Sequence, residues 1–73
     1  MDLTHEGYLA GDFTGWDGDT VFEFDNGKKW QQAHYRYRYH YAYRPRAKIW
    51  RDGGRYFLEV QGMPEKLEVR RAF

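Results

Sequence analysis

Thr20-Val21-Phe22-Glu23-Phe24-Asp25-Asn26-Gly27-Lys28-Lys29-Trp30-Gln31-Gln32 is the stretch that decides the fold. Phe22 and Phe24 alternate with Glu23 and Asp25, and apolar residues at every second position mark a strand with one face in the core. Asn26-Gly27 stands where a hairpin turn belongs, and the pair favours type I′, whose two central residues both take positive φ. Lys28 to Gln32 then forms the return strand.

The same grammar runs outward from this hairpin. No apolar pattern at helical spacing lasts three turns, whereas two-residue alternation recurs between Gly-containing breaks. On the N-terminal side Tyr8, Ala10 and Phe13 mark one strand, bent by Gly7, Gly11 and Gly15. Trp16-Asp17-Gly18-Asp19 follows as a turn. On the C-terminal side come a strand at Ala47-Lys48-Ile49-Trp50-Arg51, a loop at Asp52-Gly53-Gly54 and a strand at Tyr56-Phe57-Leu58-Glu59-Val60. A turn at Gly62-Met63-Pro64 and a last strand at Leu67-Glu68-Val69-Arg70 complete the chain. The expectation is an all-β fold, either a small SH3-like barrel or a strongly bent antiparallel sheet of five to six strands. With 73 residues it is one domain over 1–73, with residues 1–5 as a flexible terminus. At this size only about 60% of the unfolded chain's surface is buried. Because the chain has no Cys, the 21% of aromatic residues must fill the thin core.

Between these hairpins lies His34-Tyr35-Arg36-Tyr37-Arg38-Tyr39-His40-Tyr41-Ala42-Tyr43-Arg44, with tyrosine at every odd position until Pro45 ends the run. Extended, it puts the phenol rings on one face and the basic residues on the other. Its full length would be about 36 Å, too long for one straight strand in so small a fold, so a bend, a bulge or an irregular stretch is expected near His40. The ladder has three readings. In the first, the tyrosines form the core while the arginines lie outside, paired with Glu23, Asp25 or Glu59. In the second, bases stack on the rings and guanidinium groups hold phosphates. The third, preferred to the second, is an exposed aromatic patch that takes a protein partner. A one-residue change of register exchanges the faces, so the sequence leaves the buried side open.

Net charge is only +1, but residues 1–25 hold seven acids and no Lys or Arg, while His34 to Arg51 holds six bases and no acid. That asymmetry reads either as a basic surface for an anionic partner or as strands whose charges face each other.

Several chemistries are disfavoured by residue type. There is no Cys or Ser, and the three threonines, Thr4, Thr14 and Thr20, sit among acids and glycines with a histidine close by in sequence only at Thr4 (His5), so a nucleophilic triad is not expected. His34 and His40 are about 20 Å apart if extended, and His5 lies near the terminus, so no metal site is expected. Asp17-Gly18-Asp19 and Asp25 read as turn chemistry rather than as a calcium loop. No cofactor is implied. The N-terminal residues lack a signal-peptide pattern and no apolar run reaches membrane-spanning length, so a soluble, cytoplasmic protein is expected.

The run Thr20 to Gln32, with its hydrophobic strand, Asp-Asn-Gly, Trp and Gln, resembles small bacterial SH3-like β-barrel domains of uncharacterised function. Tyr41-Ala42-Tyr43-Arg44-Pro45 looks like part of the same pattern, which extends the resemblance over most of residues 6–71. It implies a fold and no reaction, because this barrel shape hosts unrelated functions.

The expected function is a non-enzymatic binding module with an aromatic surface of Trp30, Tyr35, Tyr37, Tyr39, Tyr41, Tyr43 and Trp50, flanked by Arg36, Arg38 and Arg44. The favoured partner is another protein or a second copy, with no membrane or metal involved. The alternative is single-stranded RNA on an Sm-like or SH3-like barrel, although the chain has little room for the N-terminal helix of Sm-like proteins. A third possibility is a small enzyme with its site between subunits.

Overall fold

The computed structural model describes residues 1–72. Eight strands run in order: β1 Asp2–Tyr8, β2 Asp12–Trp16, β3 Val21–Glu23, β4 Lys29–Gln32, β5 Arg38–Tyr43, β6 Arg46–Asp52, β7 Arg55–Val60 and β8 Leu67–Ala72. Six of them form one sheet in the order β1-β6-β7-β8-β4-β3, and β2 pairs with β5 in a second. All pairings are antiparallel. The all-β expectation holds, with more strands than foreseen.

The two-residue period selects the core. Phe22 on β3, Trp30 on β4, Ala47 and Ile49 on β6, Leu58 and Val60 on β7, and Leu67 and Val69 on β8 all point inward and are buried. Phe13 and Trp16 on β2 close this core from the second sheet, with ring centroids 6.2 Å apart for Phe13–Phe22 and 6.3 Å for Phe13–Trp16. Phe24, Ile49 and Leu58 have no measurable exposure.

Among the described residues no sheet closes into a barrel. The edges of the six-stranded sheet meet at one isolated bridge, Leu9 with Phe24, flanked by Ala10 N–H donating to Glu23 O and Asp25 N–H donating to Tyr8 O. Beyond that bridge no ladder pairing joins the two edges among the described residues.

Local turn chemistry follows the sequence with one change. Gly27 has φ +88°, but Asn26 is not on the positive side, so the turn is not type I′. Gly27 N–H donates to Phe24 O and Phe24 N–H to Lys28 O, which gives a three-residue loop with Gly27 as its left-handed residue. Asn26 Oδ1 accepts from Lys28 N–H and reinforces it. Gly53, at φ +64°, opens the two-residue loop between β6 and β7, and Gly62, at φ +91°, the turn after β7.

Three expectations need correction. The first strand is two, because the chain turns at Ala10 and Gly11 and sends β2 to a different partner. Residues 2–5, expected to be flexible, lie in β1, where Asp2 and Leu3 pair with Arg51 and Trp50. The Tyr/Arg ladder breaks, as its length requires, but not near His40: β4 ends at Gln32, residues 33–37 are irregular, and His40 lies within β5, which starts at Arg38. No helix long and apolar enough to cross a membrane occurs among the described residues.

Candidate functional site: the tyrosine face

The irregular segment 33–37 is held by one buried side chain. Gln32 lies two residues beyond Trp30 on β4, so alternation turns it inward, where it is 2% exposed. Its Nε2 donates to Asp17 O (3.2 Å), His34 O (2.9 Å) and Arg36 O (3.0 Å), while its Oε1 accepts from Thr20 N–H (3.4 Å). Arg36 N–H adds a bond to Asp17 O. A single amide therefore replaces the ladder bonds that this segment lacks, and it ties the segment to the 17–20 turn.

With the segment fixed, the ladder's orientation follows. On β5, His40 and Ala42 turn toward the body of the protein, and Ala42 packs on the core. The tyrosines turn outward: Tyr35, Tyr37, Tyr39, Tyr41 and Tyr43 are between 55% and 75% exposed. The reading that placed them in the core is overturned. The inward positions facing β2 suit the small Ala42, and the space beneath is already filled by Phe13 and Trp16. At about 200 Å² per aromatic side chain, the five present roughly 650 Å² to solvent, at the upper end for any patch on a monomer.

The arginines are tied down. Arg36 Nη2 lies 2.5 Å and Arg38 Nη1 3.7 Å from Glu65, and Arg44 Nη2 lies 3.9 Å from Asp25. Only the last of these partners matches the expected set, because Glu59 accepts from Trp50 Nε1 at 2.7 Å. Tyr41 OH donates to Asp12 Oδ1 at 3.0 Å, which raises the Tyr41 phenol above its ordinary range by favouring its neutral form.

Two expected members do not belong to this face. Trp30 is buried in the core, 5.0 Å from the Tyr56 ring, because β4 pairs Trp30 with Phe22 and both point inward. Trp50 sits half-buried on the outer side of β6, paired with Phe57 and covered by Lys48 at 5.8 Å. Its strand neighbours are β1 and β7, not β5.

Sequence reasoning missed a recess beside the tyrosines. Thr14, Gly15, Trp16, Asp17, Tyr37 and Tyr39 line a depression of about 320 Å³ together with Thr20 and Arg38. The Trp16 Nε1–H is buried and has no hydrogen-bond partner. Gly15 permits the close approach of β2 to β5 at the recess, since a Cβ there would stand 1.9 Å from Arg38 O. Its φ of +96° and the β2–β5 irregularity between Phe13 and Gly15 mark a bulge. Among the described residues no group of three or more His, Cys, Asp or Glu is placed to hold a metal ion. Comparison with protein-family models, with curated proteins and with solved structures finds no match.

Proposed function

We propose that this protein is a non-enzymatic binding module on an SH3-like framework, and that the tyrosine face of β5 is its protein interface, with a second copy as the occupant to test first. The carrying observation is five exposed tyrosines on and beside a strand whose one paired neighbour is β2. Tyrosine supplies large, rigid contact area at low entropy cost, and it is enriched where binding energy concentrates. The face approaches the ~800 Å² that one partner contributes to a standard interface. The recess lined by Trp16 suits an inserted side chain bearing a hydrogen-bond acceptor. The bridge between Leu9 and Phe24 supports the SH3-like framework, since it brings the two sheet edges together. A cysteine-free chain is compatible with a cytoplasmic setting. Nucleic acid is the weaker reading because Glu65 already engages Arg36 and Arg38.

Sedimentation equilibrium over a wide concentration range, combined with tyrosine nitration mapped by mass spectrometry, tests the reading. The wild type is expected to self-associate and to lose nitration at Tyr39, Tyr41 and Tyr43 when concentrated. A triple Tyr39→Ser, Tyr41→Ser, Tyr43→Ser variant stays monomeric while keeping a cooperative thermal transition. A wild type that remains monomeric and equally reactive at every concentration rules out the second copy.

A further inference from the structure

Among the described residues, β5 is hydrogen-bonded to β2 on one side and to no strand on the other. Which backbone groups face the unpaired side follows from three atoms. Arg44 N–H donates to Gly11 O, and Arg38 O and His40 N are the backbone groups nearest to where a Cβ on Gly15 of β2 would stand. No peptide bond is cis, and in a trans peptide the N–H and the C=O point opposite ways. The N–H and C=O of Tyr39 and the C=O of Tyr43 therefore point away from β2. Tyr41 lies between them and follows by alternation. Among the described residues the turn and loop bonds, and the bonds from side chains to the backbone, all go elsewhere.

The edges of the larger sheet are blunted. β1 is bulged between Leu3 and His5 and carries Asp2 and Glu6, while β3 has three residues and its Glu23 O already accepts from Ala10 N–H. Bulges, charges and shortness are the devices that keep an edge from pairing. β5 has six residues, and Tyr39 to Tyr43 include no Lys, Arg, Asp, Glu, Gly or Pro. The register shift against β2 leaves its alternation unbroken, with the three tyrosines exposed and His40 and Ala42 half-buried.

We infer that this edge is where two copies join, β5 pairing antiparallel with the partner's β5 about a two-fold axis at Tyr41. The inference rests on the tyrosine-face reading and specifies how that face is shared. Tyr39-His40-Tyr41-Ala42-Tyr43 fits itself in this register. Tyr39 stands opposite the partner's Tyr43 and Tyr41 opposite the partner's Tyr41, and each opposed pair exchanges both backbone bonds. Directly opposed residues share a face, so the tyrosines of both copies form one cross-strand aromatic cluster, a favoured kind of pair. On the inner face His40 meets the small Ala42 rather than a second ring. At the ends Arg38 faces Arg44, but each already has an acid of its own chain, Glu65 at 3.7 Å and Asp25 at 3.9 Å. A two-stranded ribbon is the weakest kind of sheet, and the union turns two of them into one sheet of four strands. The contact is isologous and closes on itself.

Hydrogen exchange followed by NMR, from dilute to millimolar protein, reads the edge directly. In the dilute protein the Arg44 amide is protected by its bond to Gly11, whereas the amides of Tyr39, Tyr41 and Tyr43 exchange freely. On concentration these three should gain about tenfold protection or more, in step with association measured by sedimentation. In a mixture of labelled and unlabelled copies, an intermolecular cross-peak is expected between His40 Hα and Ala42 Hα, which a pairing centred on Tyr41 brings together. Tyr41→Pro removes the central donor where a single copy makes no use of it, so the chain keeps its fold. Its dissociation constant should be about tenfold or more above that of Tyr41→Ser, which retains the N–H. Association that protects the tyrosine rings from nitration while the three amides exchange as in the dilute protein overturns the edge pairing and leaves the tyrosine-face reading standing. So does a Tyr41→Pro variant that associates as strongly as Tyr41→Ser. A protein that stays monomeric at every concentration overturns both the pairing and the second copy. Protection of the three amides only on adding an unrelated extended peptide of alternating Thr and Val gives the edge to another chain and overturns the second copy as its occupant.

Discussion

Gln32 shows how one side chain can set the conformation of a neighbouring segment. Replacing it with leucine keeps a similar volume but takes the amide donor from the His34 and Arg36 carbonyls and the acceptor from Thr20 N–H, and leaves Asp17 O with Arg36 N–H alone. Each unsatisfied buried group costs about 1–3 kcal/mol, and partial hydration lowers the total, so Gln32→Leu should destabilise by about 2–4 kcal/mol. Urea denaturation measures that loss, and hydrogen exchange should show the Arg36 amide losing protection. Gly15 is the second sensitive residue. A Cβ 1.9 Å from the Arg38 carbonyl oxygen cannot be accommodated, and φ +96° is unfavourable for any side chain. Gly15→Ala should therefore cost about 3 kcal/mol or more and loosen β2 from β5, visible as exposure of Trp16 fluorescence. Tyr41 offers a test of orientation. Its phenol is held above the ordinary range first by the hydrogen bond to Asp12 and then by that carboxylate's charge. In a spectrophotometric titration Asp12→Asn should bring Tyr41 back toward ordinary tyrosine. A titration unmoved by that change would mean that the bond does not form in solution.

At the level of elements, the hairpins were legible because turn residues and alternation act locally. Phe22, Phe24 and Trp30 announced β3 and β4, and Gly53-Gly54 and Gly62 placed the later turns. The need for a break in the ladder was legible from its length, but its place was not. The interruption falls at 33–37 rather than near His40, and it depends on a distant partner, the Asp17 carbonyl, that no local pattern reveals. The side facing inward also depended on tertiary structure, because Phe13 and Trp16 of β2 decide what fits beneath β5. Parity did contain a clue to Gln32, which follows Trp30 by two positions and so shares its face. Trp30 and Trp50 were misplaced for the opposite reason: grouping aromatics by type ignored which strand face each occupies. The corner from β5 to β6 carries one strained residue, Arg44, at φ +46° before Pro45, with its N–H donating to Gly11 O. A residue before proline prefers extended backbone, and a non-glycine residue with positive φ costs about 1–3 kcal/mol. Arg44→Gly should hold or raise stability by up to about 1 kcal/mol, whereas Arg44→Val should lower it by about 1–2 kcal/mol. Thermal midpoints of the two variants read the difference directly.

Across the whole molecule, the charge asymmetry of the chain partly resolves into contacts between its segments. Glu6 meets Arg46 at 2.7 Å, joining the acidic first third to the basic middle across β1 and β6. Glu68 receives Arg55 at 2.7 Å and lies 3.3 Å from His34. Each carboxylate is held below its ordinary value, Glu6 chiefly by the hydrogen bond from Arg46 and Glu68 chiefly by that from Arg55. Asp17 is lowered as well, first by the Thr20 hydroxyl and then by the Gly18 amide. These groups bind fewer protons folded than unfolded just below their ordinary pKa, so stability rises with pH there. Their contribution is complete above the unfolded values, near 4.5 for Glu and 3.8 for Asp, and is lost as pH falls through the lower folded values. Glu6 and Asp17 are solvent-exposed and Glu68 is half-buried at the surface, so salt screens the ion-paired members and the effect per group is small. Urea midpoints measured from about pH 5 down to about pH 2 should therefore decline, and the decline should be shallower in Glu68→Gln, which no longer has that carboxylate to protonate. Raising ionic strength should flatten the Glu6 and Glu68 contributions while leaving that of Asp17, which rests on neutral donors, largely in place. A midpoint that stays level with pH, or a Glu68→Gln curve parallel to the wild type, would mean that the Arg55–Glu68 pair does not hold together in solution.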